Sequence, residues 1–415
     1  MSGARQCCLC KGQNPSLLFK LDDLPISHNL RKSEDEPDPR FCISFEICQD
    51  CGLLQIIDPI PADVIYSETD TYTTGFQRPR HLDDLITTTV ARQDPGRAID
   101  IGCNDGALLE ALRNAGYAEV VGVEPNPMAA QLARQKGFEV HTSFLTQALA
   151  ERLAAERGAF DTVYLRHVVE HVSDLEAFFS AIRALLTDAG FLVMELPDVE
   201  EGFALGSPAI LWEEHVSYFT GPLAEYLLQL FGFRIVDRRR YMFGGGSMAF
   251  VAEKHALPTR CTVKRPAAAP TIEMLHAFVV RMRKQTEALC RLIADARSAG
   301  YQIAVYGAAP RSCLVVSVCR LGEMIDFVVD DRKAIHGRLM PGTRRVVKPL
   351  AEFAAHAGGR LLCLLGVGAE NEFKVRSRVQ AAIEGDVVFV SLFPPRNTID
   401  SIAAARHALT AAERG

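Results

Sequence analysis

The chain has 415 residues, of which 48% are hydrophobic and 23% are charged, and its formal net charge is −6. This length allows two or three domains, and the composition is that of a folded globular protein, which excludes a disordered chain. The negative charge argues against nucleic-acid binding, no apolar stretch reaches the roughly 18 residues of a membrane span, and residues 1–12 lack the apolar core of a signal peptide, so we expect a cytoplasmic protein without a membrane partner.

The first pattern along the chain is a group of cysteines, six of which lie within the first 51 residues. Cys7 with Cys10 and Cys48 with Cys51 form two Cys-x-x-Cys pairs, separated by 37 residues. Two such pairs complete a tetrahedron around Zn²⁺ and leave no open position for water, which predicts a structural metal site and not a catalytic one. Free cysteines are the alternative. The metal would stabilise a segment with a small apolar core.

Short apolar segments then alternate with helical patterns, which predicts a parallel, doubly wound sheet. The predicted strands are 98–101, 119–126, 138–144, the start of 160–172, and 190–197; predicted helices end near Val90, begin near Gly106, and cover 127–137 and 174–190.

A linker rich in proline and alanine, 260–271, precedes a long predicted helix at 272–299 and a second α/β unit. The apolar face of that helix is predicted from Met274, Phe278, Met282, Leu289 and Ile293, with Gly300 as its C-terminal cap. We therefore predict a zinc-binding domain at 1–75, a central α/β domain at 76–258 and a C-terminal Rossmann-like domain at 259–415.

The segment Asp-Ile-Gly-Cys-Asn-Asp-Gly at 100–106 follows the first strand, where glycines let the backbone approach a ligand closely. Glu124 ends the next strand, where a carboxylate can bind two ribose hydroxyls. Because no Gly-x-Gly-x-x-Gly motif for a pyrophosphate is present, a nucleoside without phosphates, S-adenosylmethionine (SAM), fits better than NAD; a turn without any ligand is the alternative. The predicted cofactor residues are Asp100, Gly102, Asn104, Asp105, Gly106 and Glu124, with Phe144 either beside the adenine or in the core.

Two further stretches carry histidines. His167 and His171 are four residues apart and would share one face of a helix; we place His167 near the cofactor and His171 towards the substrate, with a metal pair or ordinary core histidines as alternatives. In Leu-Trp-Glu-Glu-His-Val-Ser-Tyr-Phe-Thr at 211–220, His215 is the natural general base and Glu214 can orient it. A helix start with scattered polar groups is the alternative there.

The segment 306–312, Tyr-Gly-Ala-Ala-Pro-Arg-Ser, predicts a second strand-to-helix glycine turn. Backbone N–H groups at a helix N-terminus, together with Arg311, suit a phosphate or pyrophosphate. The predicted substrate-binding residues are therefore Tyr306, Gly307, Arg311 and Ser312.

Together these pieces resemble the sugar C-methyltransferases of deoxysugar and antibiotic pathways, over nearly the whole chain. The motifs that carry the resemblance are LPISHNL, CQDCGLLQI, DIGCNDG, GVEPN, EHVSYFT and MPGT. The resemblance implies a class I SAM methyltransferase core between a four-cysteine zinc domain and a Rossmann-like domain, and a nucleotide-linked 4-keto-6-deoxy sugar methylated at C3. It implies that His215 removes the C3 proton, and it carries over Glu214, His171 and Tyr72 as active-site residues.

The chain departs from that family at several substrate-side positions. Trp212 stands where a Tyr usually precedes the Glu-His pair, and an indole N–H can donate a hydrogen bond but cannot shuttle a proton. Asp70 replaces a Tyr, Ala-Pro-Arg replaces a Lys-bearing turn, and 366–372 replaces a Trp-Asn pair. Two other functions therefore stay open: an O- or N-methyltransferase on a different acceptor, and a non-catalytic protein that binds SAM or a nucleotide sugar.

Overall fold

A computed structural model describes residues 6–65, 81–258, 263–355 and 358–412. The chain forms two compact units, each assembled from three stretches: Met1–Leu18, Phe45–Val199 and Glu214–Ile272 in the first, and Phe19–Ser44, Glu200–Glu213 and Glu273–Gly415 in the second. The predicted boundaries at 75 and 258 adjoin residues outside the described ranges, so the three-domain division stays a prediction. None of the described helices is long and apolar enough to cross a membrane.

The strands, in chain order, are β1 (Pro15–Pro25), β2 (Arg40–Cys48), β3 (Leu54–Ile56), β4 (Arg97–Ile101), β5 (Glu119–Val123), β6 (Glu139–His141), β7 (Phe160–Arg166), β8 (Leu186–Pro197), β9 (Ser217–Tyr218), β10 (Phe233–Tyr241), β11 (Ser247–Lys254), β12 (Gln302–Tyr306), β13 (Phe327–Val329), β14 (Val347–Lys348), β15 (Arg360–Leu365) and β16 (Asp386–Ser391). The helices are α1 (Ala62–Ile65), α2 (His81–Val90), α3 (Ala107–Asn114), α4 (Pro127–Gln135), α5 (Gln147–Arg157), α6 (Leu175–Leu185), α7 (Glu200–Leu205), α8 (Gly221–Leu230), α9 (Ile272–Ser298), α10 (Pro310–Val318), α11 (Leu350–Ala354), α12 (Ala369–Ala382) and α13 (Pro395–Ala412).

The first unit is built on a seven-stranded sheet of order β10-β11-β8-β7-β4-β5-β6. Strands β4 to β8 are parallel, whereas β11 runs antiparallel to both β8 and β10. Apolar side chains fill both faces: Ile99 and Val163 lie in one core cluster, and Ala98 and Tyr164 lie in the cluster on the opposite side. This parallel sheet with one antiparallel strand is the class I SAM methyltransferase fold that the motifs implied.

The second unit contains a five-stranded parallel sheet of order β14-β13-β12-β15-β16, which confirms the Rossmann-like α/β fold expected there. Its order reverses beside β12, between β13 and β15. Ligands of open α/β sheets bind at the carboxyl ends of the strands on either side of such a reversal.

Two helix predictions need correction. The helix predicted at 174–190 ends at Leu185, because Leu186 already pairs with Phe160 as the first residue of β8. The long helix α9 was predicted correctly, but Met274 on its supposed apolar face is 56% exposed. Phe278, Met282, Leu289 and Ile293 are buried as expected, and Gly300 follows with φ +82°.

A four-stranded sheet of order β1-β2-β3-β9 contains the strands next to the second cysteine pair. Within the first unit, Leu54 of β3 pairs with Ile47 of β2 on one side and with Tyr218 of β9 on the other. The backbone that follows Cys51 is therefore hydrogen-bonded to the strand that begins two residues after His215.

Candidate active site

The four predicted metal ligands come together. The Sγ atoms of Cys7, Cys10, Cys48 and Cys51 all lie within 4.8 Å of one another. The Sγ atoms of Cys7 and Cys51 are 3.6 Å apart, as are those of Cys10 and Cys48, and none of these cysteines is in a disulfide. Zn–S bonds of about 2.3 Å in a tetrahedron place the sulfurs about 3.8 Å apart. The donor set therefore fits a zinc ion.

The backbone around each cysteine pair is a tight turn that continues in the left-handed region. Lys11, after Cys10, has φ +62°, and Gly52, after Cys51, has φ +86°. The N–H of Gly12 points to Cys10 Sγ at 3.3 Å, and the N–H of Gly52 donates to the carbonyl of Cys48 at 2.7 Å. A Cβ on Gly52 would lie 2.4 Å from the carbonyl oxygen of Pro270, so only glycine fits there.

Polar contacts connect this cysteine cluster to the strand after His215. Cys8, between the ligands, donates its N–H to Gln55 Oε1 at 3.1 Å, and its Sγ lies 3.2 Å from Ser217 Oγ. Gln55 and Ser217 are also direct partners across β3 and β9. The segment of the cysteine cluster is thus connected to β9 and, through it, to the loop that carries His215.

The predicted cofactor residues lie at the carboxyl ends of β4 and β5. Gly102, Asn104 and Gly106 have φ values of +78°, +48° and +80°, which give a sharp turn from β4 into α3. The Glu124 carboxylate joins two loops, because it accepts the N–H of Asn104 through Oε2 and the N–H of Asn126 through Oε1, both at 2.8 Å. A carboxylate has about four lone-pair positions, so two remain for the hydroxyls of a ribose.

The fit of SAM rests on Asp100. This carboxyl group is 2% exposed, and its Oδ1 has no hydrogen-bond partner among the described residues. Burial raises the pKa of Asp100 to about 7, although Arg166 acts in the opposite direction. An unpaired acceptor beside a glycine turn suits the ammonium group of a bound amino acid. The residues present therefore fit SAM.

Asp105 and Phe144 are placed differently from the other predicted cofactor residues. Asp105 Oδ1 accepts the N–H of Ala107 at 3.3 Å, and its Oδ2 lies 3.4 Å from Lys136 Nζ, so the side chain supports the start of α3. Phe144 follows β6 and is 49% exposed, which excludes the alternative of a core phenylalanine.

His167 does not share a helix face with His171. It follows β7 directly with φ +52°, and His171 belongs to a short 3₁₀ turn at Val169–His171. The His167 ring lies between two buried carboxylates, with Nδ1 3.5 Å from Glu170 and Nε2 3.7 Å from Glu195. Burial would lower the pKa of His167, but these carboxylates outweigh burial and raise it to about 9. The expectation of a helical pair was therefore wrong, and His167 is cationic at neutral pH.

Glu195, at the end of β8, is the centre of a polar cluster that the sequence analysis missed. Its carboxylate lies 2.6 Å from Arg166 Nε, 2.9 Å from His81 Nε2 and 2.6 Å from Ser247 Oγ. Burial would raise its pKa, yet His167, His81 and Arg166 hold that pKa far below its usual range. A signal was present in the sequence, because Glu195, like Glu124, is an acid at the end of an apolar strand.

The structure brings His171, Glu214 and His215 together. The His171 Nδ1–H donates to the backbone carbonyl of Glu214 at 3.1 Å. In the neutral tautomer that makes this hydrogen bond, Nε2 carries no hydrogen. The rings of His171 and His215 meet edge to face, with their centroids 4.8 Å apart, and His215 is 8% exposed. The Glu214 carboxylate lies 4.0 Å from His171 Nδ1. Tyr72, the remaining predicted catalytic residue of this unit, lies outside the described residues.

Trp212 belongs to the second unit. Its ring lies 5.9 Å from the guanidinium of Arg311, and the Phe393 ring lies 5.4 Å from the same group. Burial lowers the pKa of Arg311 to about 10, although the negative charge of Glu370 acts in the opposite direction. A partly buried cation beside two aromatic rings at the start of α10 suits an anionic ligand.

The other predicted substrate residues at the end of β12 are held more tightly than Arg311 by contacts within the protein. Gly307 has φ +106°, and a Cβ there would lie 2.5 Å from the carbonyl oxygen of Gly366 at the end of the neighbouring β15. Tyr306 is buried and donates its hydroxyl to Asp331 at 2.8 Å. Ser312 is fully buried against Gly366, where an added Cβ would lie 2.1 Å from its Oγ. Of the four predicted substrate residues, Arg311 is therefore the one whose side chain, through its guanidinium, can contact a ligand.

Two family models match the chain side by side. Residues 75–238 match a methyltransferase domain, and residues 243–389 match the C-methyltransferase C-terminal domain. C-methyltransferase NovU of Streptomyces niveus is 26% identical over 381 residues, which cover 86% of this chain and 89% of that protein. The chain belongs to the C-methyltransferase family. This C-methyltransferase is accordingly a SAM-dependent enzyme.

Other relatives match only part of this C-methyltransferase. The ubiquinone biosynthesis O-methyltransferase of Xanthomonas axonopodis pv. citri (strain 306) is 29% identical over 150 residues, 34% of this chain and 61% of that protein. Among solved structures, the PH0226 protein of Pyrococcus horikoshii OT3 is 21% identical, with 46% of this chain and 97% of that chain covered and a TM-score of 0.36. The 1,6-didemethyltoxoflavin-N1-methyltransferase of Burkholderia thailandensis is 17% identical, with 49% and 95% covered and a TM-score of 0.37.

Proposed function

We propose that this enzyme methylates a carbon atom next to the ketone of a nucleotide-linked 4-keto-6-deoxy sugar, at C3, with His215 as the general base. The single observation that carries the proposal is the buried contact of His215 with His171. Methylation of an oxygen or nitrogen needs a nucleophile that already has a lone pair. Carbon next to a ketone must first lose a proton, and that step requires a positioned base.

His215 and His171 take separate roles in this proposal. His171 has its tautomer fixed by the Glu214 carbonyl, so that its orientation is set before the substrate binds. A ring nitrogen of His215 forms the new N–H bond with the C3 proton, and the electrons of the C–H bond move to the ketone oxygen. The edge-to-face contact between the two rings holds His215 in one orientation, which supplies the alignment that proton abstraction requires.

SAM supplies an electrophilic methyl group when it is bound. We propose that Asp100 accepts the ammonium of its methionine part, that Gly102, Asn104 and Gly106 give backbone access, and that Glu124 binds its ribose. Phe144 would flank the adenine, because half of its surface is exposed next to β6. His167 would stay protonated near neutral pH, since its pKa lies at about 9, and its charge would be balanced by Glu170 and Glu195.

We propose that the second unit binds the diphosphate of the acceptor at Arg311. The half-buried guanidinium, the two flanking rings and the N-terminus of α10 support this assignment. The acid at the end of β13, Asp330, is already occupied by Arg332 through two bonds of 2.9 and 3.0 Å and by the N–H of Ala308. This crevice therefore differs from the one at Glu124, whose carboxylate accepts two backbone N–H groups and forms no ion pair with a described cation.

The zinc ion is part of the proposal as a structural element. Its four thiolate ligands leave no open coordination position, so the metal takes no part in the reaction. It would hold β3, and through the β3–β9 pair the backbone next to His215.

The test is mass spectrometry of the reaction in D₂O with SAM and a panel of nucleotide-linked 4-keto-6-deoxy sugars. We expect the wild-type enzyme to add one methyl group and to exchange the C3 hydrogen of the acceptor with solvent. His215→Asn should lose both by at least about 100-fold, in the range typical of a missing general base, with SAM affinity unchanged. His255→Asn, at an exposed position in the same unit, is the matched control and should behave as wild type.

Two outcomes would contradict carbon methylation. Methylation that continues in His215→Asn without hydrogen exchange would favour an O- or N-methyltransferase. Binding of SAM without turnover of any acceptor in the panel would favour the non-catalytic alternative.

A further inference from the structure

The carboxylate of Glu170 takes no part in the function proposed above, and it is one of the most buried charged groups of the first unit. Glu170 is 2% exposed, and neither of its carboxylate oxygens accepts a hydrogen bond from a described residue. Burial of a carboxylate without such bonds is unfavourable unless a nearby charge compensates it. Three imidazole rings surround it.

We propose that Glu170 is a positioning residue that stabilises the protonated form of the His171–His215 pair. This inference rests on the proposed role of His215 as the base. One carboxylate oxygen of Glu170 and one ring nitrogen from each histidine lie within 4.8 Å of one another. An opposite charge within about 4–6 Å raises the pKa of an imidazole by one unit or more.

The surrounding charges show why Glu170 can fill this role. Arg166 lies 2.6 Å from Glu195 and compensates it, and cationic His167 faces Glu195 and Glu170 from the other side. The group therefore contains two cations and two anions before the reaction. When His215 takes the C3 proton, it adds a positive charge beside a carboxylate that has no hydrogen-bond donor among the described residues. In this proposal the proton taken from C3 stays on His215.

Glu214 is the other acid that faces these rings, and it differs in position. Its carboxylate lies 4.0 Å from His171 Nδ1, the nitrogen that is already bonded to the Glu214 carbonyl. The centroid of the Tyr218 ring lies 6.2 Å from that of His215. Glu170 is thus the acid grouped with nitrogens of both histidines.

A metal ion is the competing explanation, since one carboxylate and two imidazoles are also a donor set for divalent transition metals. A metal bound there would occupy a nitrogen of His215 and prevent it from acting as a base. The two explanations therefore exclude each other, and one set of variants separates them.

The first experiment measures the histidine pKa values directly and needs no acceptor. In full-length protein with ¹³C-labelled histidine, NMR titration is carried out on wild type, Glu170→Gln and Glu170→Asp, and signals are assigned with His171→Asn and His215→Asn. We expect the pKa of His215 to fall by about one unit or more in Glu170→Gln and by less in Glu170→Asp. Glu156→Gln, an exposed glutamate on α5, is the matched control and should leave these pKa values unchanged.

The second experiment uses the reaction. In Glu170→Gln, kcat should fall by about 10-fold or more with KM and SAM affinity unchanged, and the acidic limb of the pH profile should move to lower pH. Glu170→Asp should recover part of the activity. Failure of every acceptor would count against the proposed function but not against the NMR result, which distinguishes the two.

Three results would overturn the inference. One is unchanged histidine pKa values in a Glu170→Gln protein that keeps its thermal midpoint. If Glu170→Gln does not fold, unchanged values in Glu170→Asp have the same meaning. The third is a metal ion in purified wild-type protein, beyond one equivalent for the cysteine cluster, that is lost in Glu170→Gln.

Discussion

Asp100 and Glu124 are acids at the ends of neighbouring strands, yet their surroundings differ. Glu124 accepts two backbone N–H bonds, which offset part of the burial that raises its pKa. Asp100 has Oδ1 without a partner among the described residues, and burial raises its pKa to about 7. Glu124 can therefore accept hydrogen bonds from hydroxyl groups, whereas the ionised form of Asp100 would be stabilised most by a nearby cation.

This difference predicts a pH dependence of SAM binding. Without ligand, Asp100 is half protonated near its pKa of about 7, and a neighbouring ammonium favours its ionised form. Binding below that pH must therefore release a proton, so affinity should rise with pH up to about 7 and level off above it. Isothermal titration calorimetry in two buffers of different ionisation enthalpy measures that proton directly.

Asp100→Asn should remove the pH dependence and weaken SAM binding, whereas Asp94→Asn, at an exposed position, should change neither. A wild-type affinity that is constant between about pH 5.5 and 8 would show that the ammonium does not lie at Asp100.

At the scale of single residues, the sequence predicted those site residues whose role depends on positions close to them in the chain. The strand-end acids Asp100 and Glu124 and the glycines between them follow from a local strand-turn-helix pattern. Glu170 and Glu195 were missed because their importance comes from partners distant in sequence. Glu195, for example, meets His81 and Ser247, which are separated by more than a hundred residues.

The cysteine turns are the element whose local geometry is most restrictive. Gly52 and Gly137 have nearly the same backbone conformation, with φ +86° and +83°. A Cβ on Gly52 would meet the carbonyl oxygen of Pro270 at 2.4 Å, whereas a Cβ on Gly137 meets nothing within 4 Å. A comparison of alanine substitutions at Gly52 and Gly137 therefore distinguishes the effect of backbone strain from that of steric overlap.

Both glycine-to-alanine variants should therefore be less stable than wild type, but to different extents. Gly137→Ala should lower the free energy of unfolding by about 1–2 kcal/mol, from the left-handed backbone alone. Gly52→Ala should lower it further and should also reduce zinc retention, since the turn that aims Cys48 and Cys51 must shift. Thermal denaturation and metal analysis of both variants measure this, and equal losses with full zinc in both would show that Pro270 moves aside.

On the scale of the whole chain, two α/β units each end their first parallel strand in a glycine turn. In the first unit, the N–H of Asn104 donates to Glu124 at the end of the next strand, and in the second, the N–H of Ala308 donates to Asp330 in the same way, each at 2.8 Å. The difference lies in the cations: Arg332 binds the Asp330 carboxylate directly, whereas the Arg311 guanidinium lies beside the Trp212 and Phe393 rings. The same turn can therefore serve a nucleoside in one unit and an anion in the other.

We expect Arg311→Gln to weaken the binding of nucleoside diphosphates by about 10- to 100-fold, the loss typical of hydrogen bonds to a charged group. SAM affinity should stay unchanged, because the Glu124 crevice belongs to the other unit. UDP and dTDP are the probes, calorimetry is the measurement, and Arg344→Gln, an exposed arginine of the same unit, is the control. Equal affinity in Arg311→Gln and wild type would remove the assignment of this crevice to the diphosphate.

The sequence by itself determined the cysteine cluster, the parallel strands of the two α/β units, the glycine turns and the family, because each depends on spacing or periodicity within a short segment. Only the tertiary structure decided which side chains face one another. Residues 200–213 and 214–272 belong to different units although they are consecutive, so Trp212 lies by Arg311 while His215 lies by His171. A helical period predicted His167 and His171 on one face, but β7 continues to Arg166 and a 3₁₀ turn follows. Side-chain proximity of this kind depends on strand order and chain crossings, and local sequence patterns do not encode either of them.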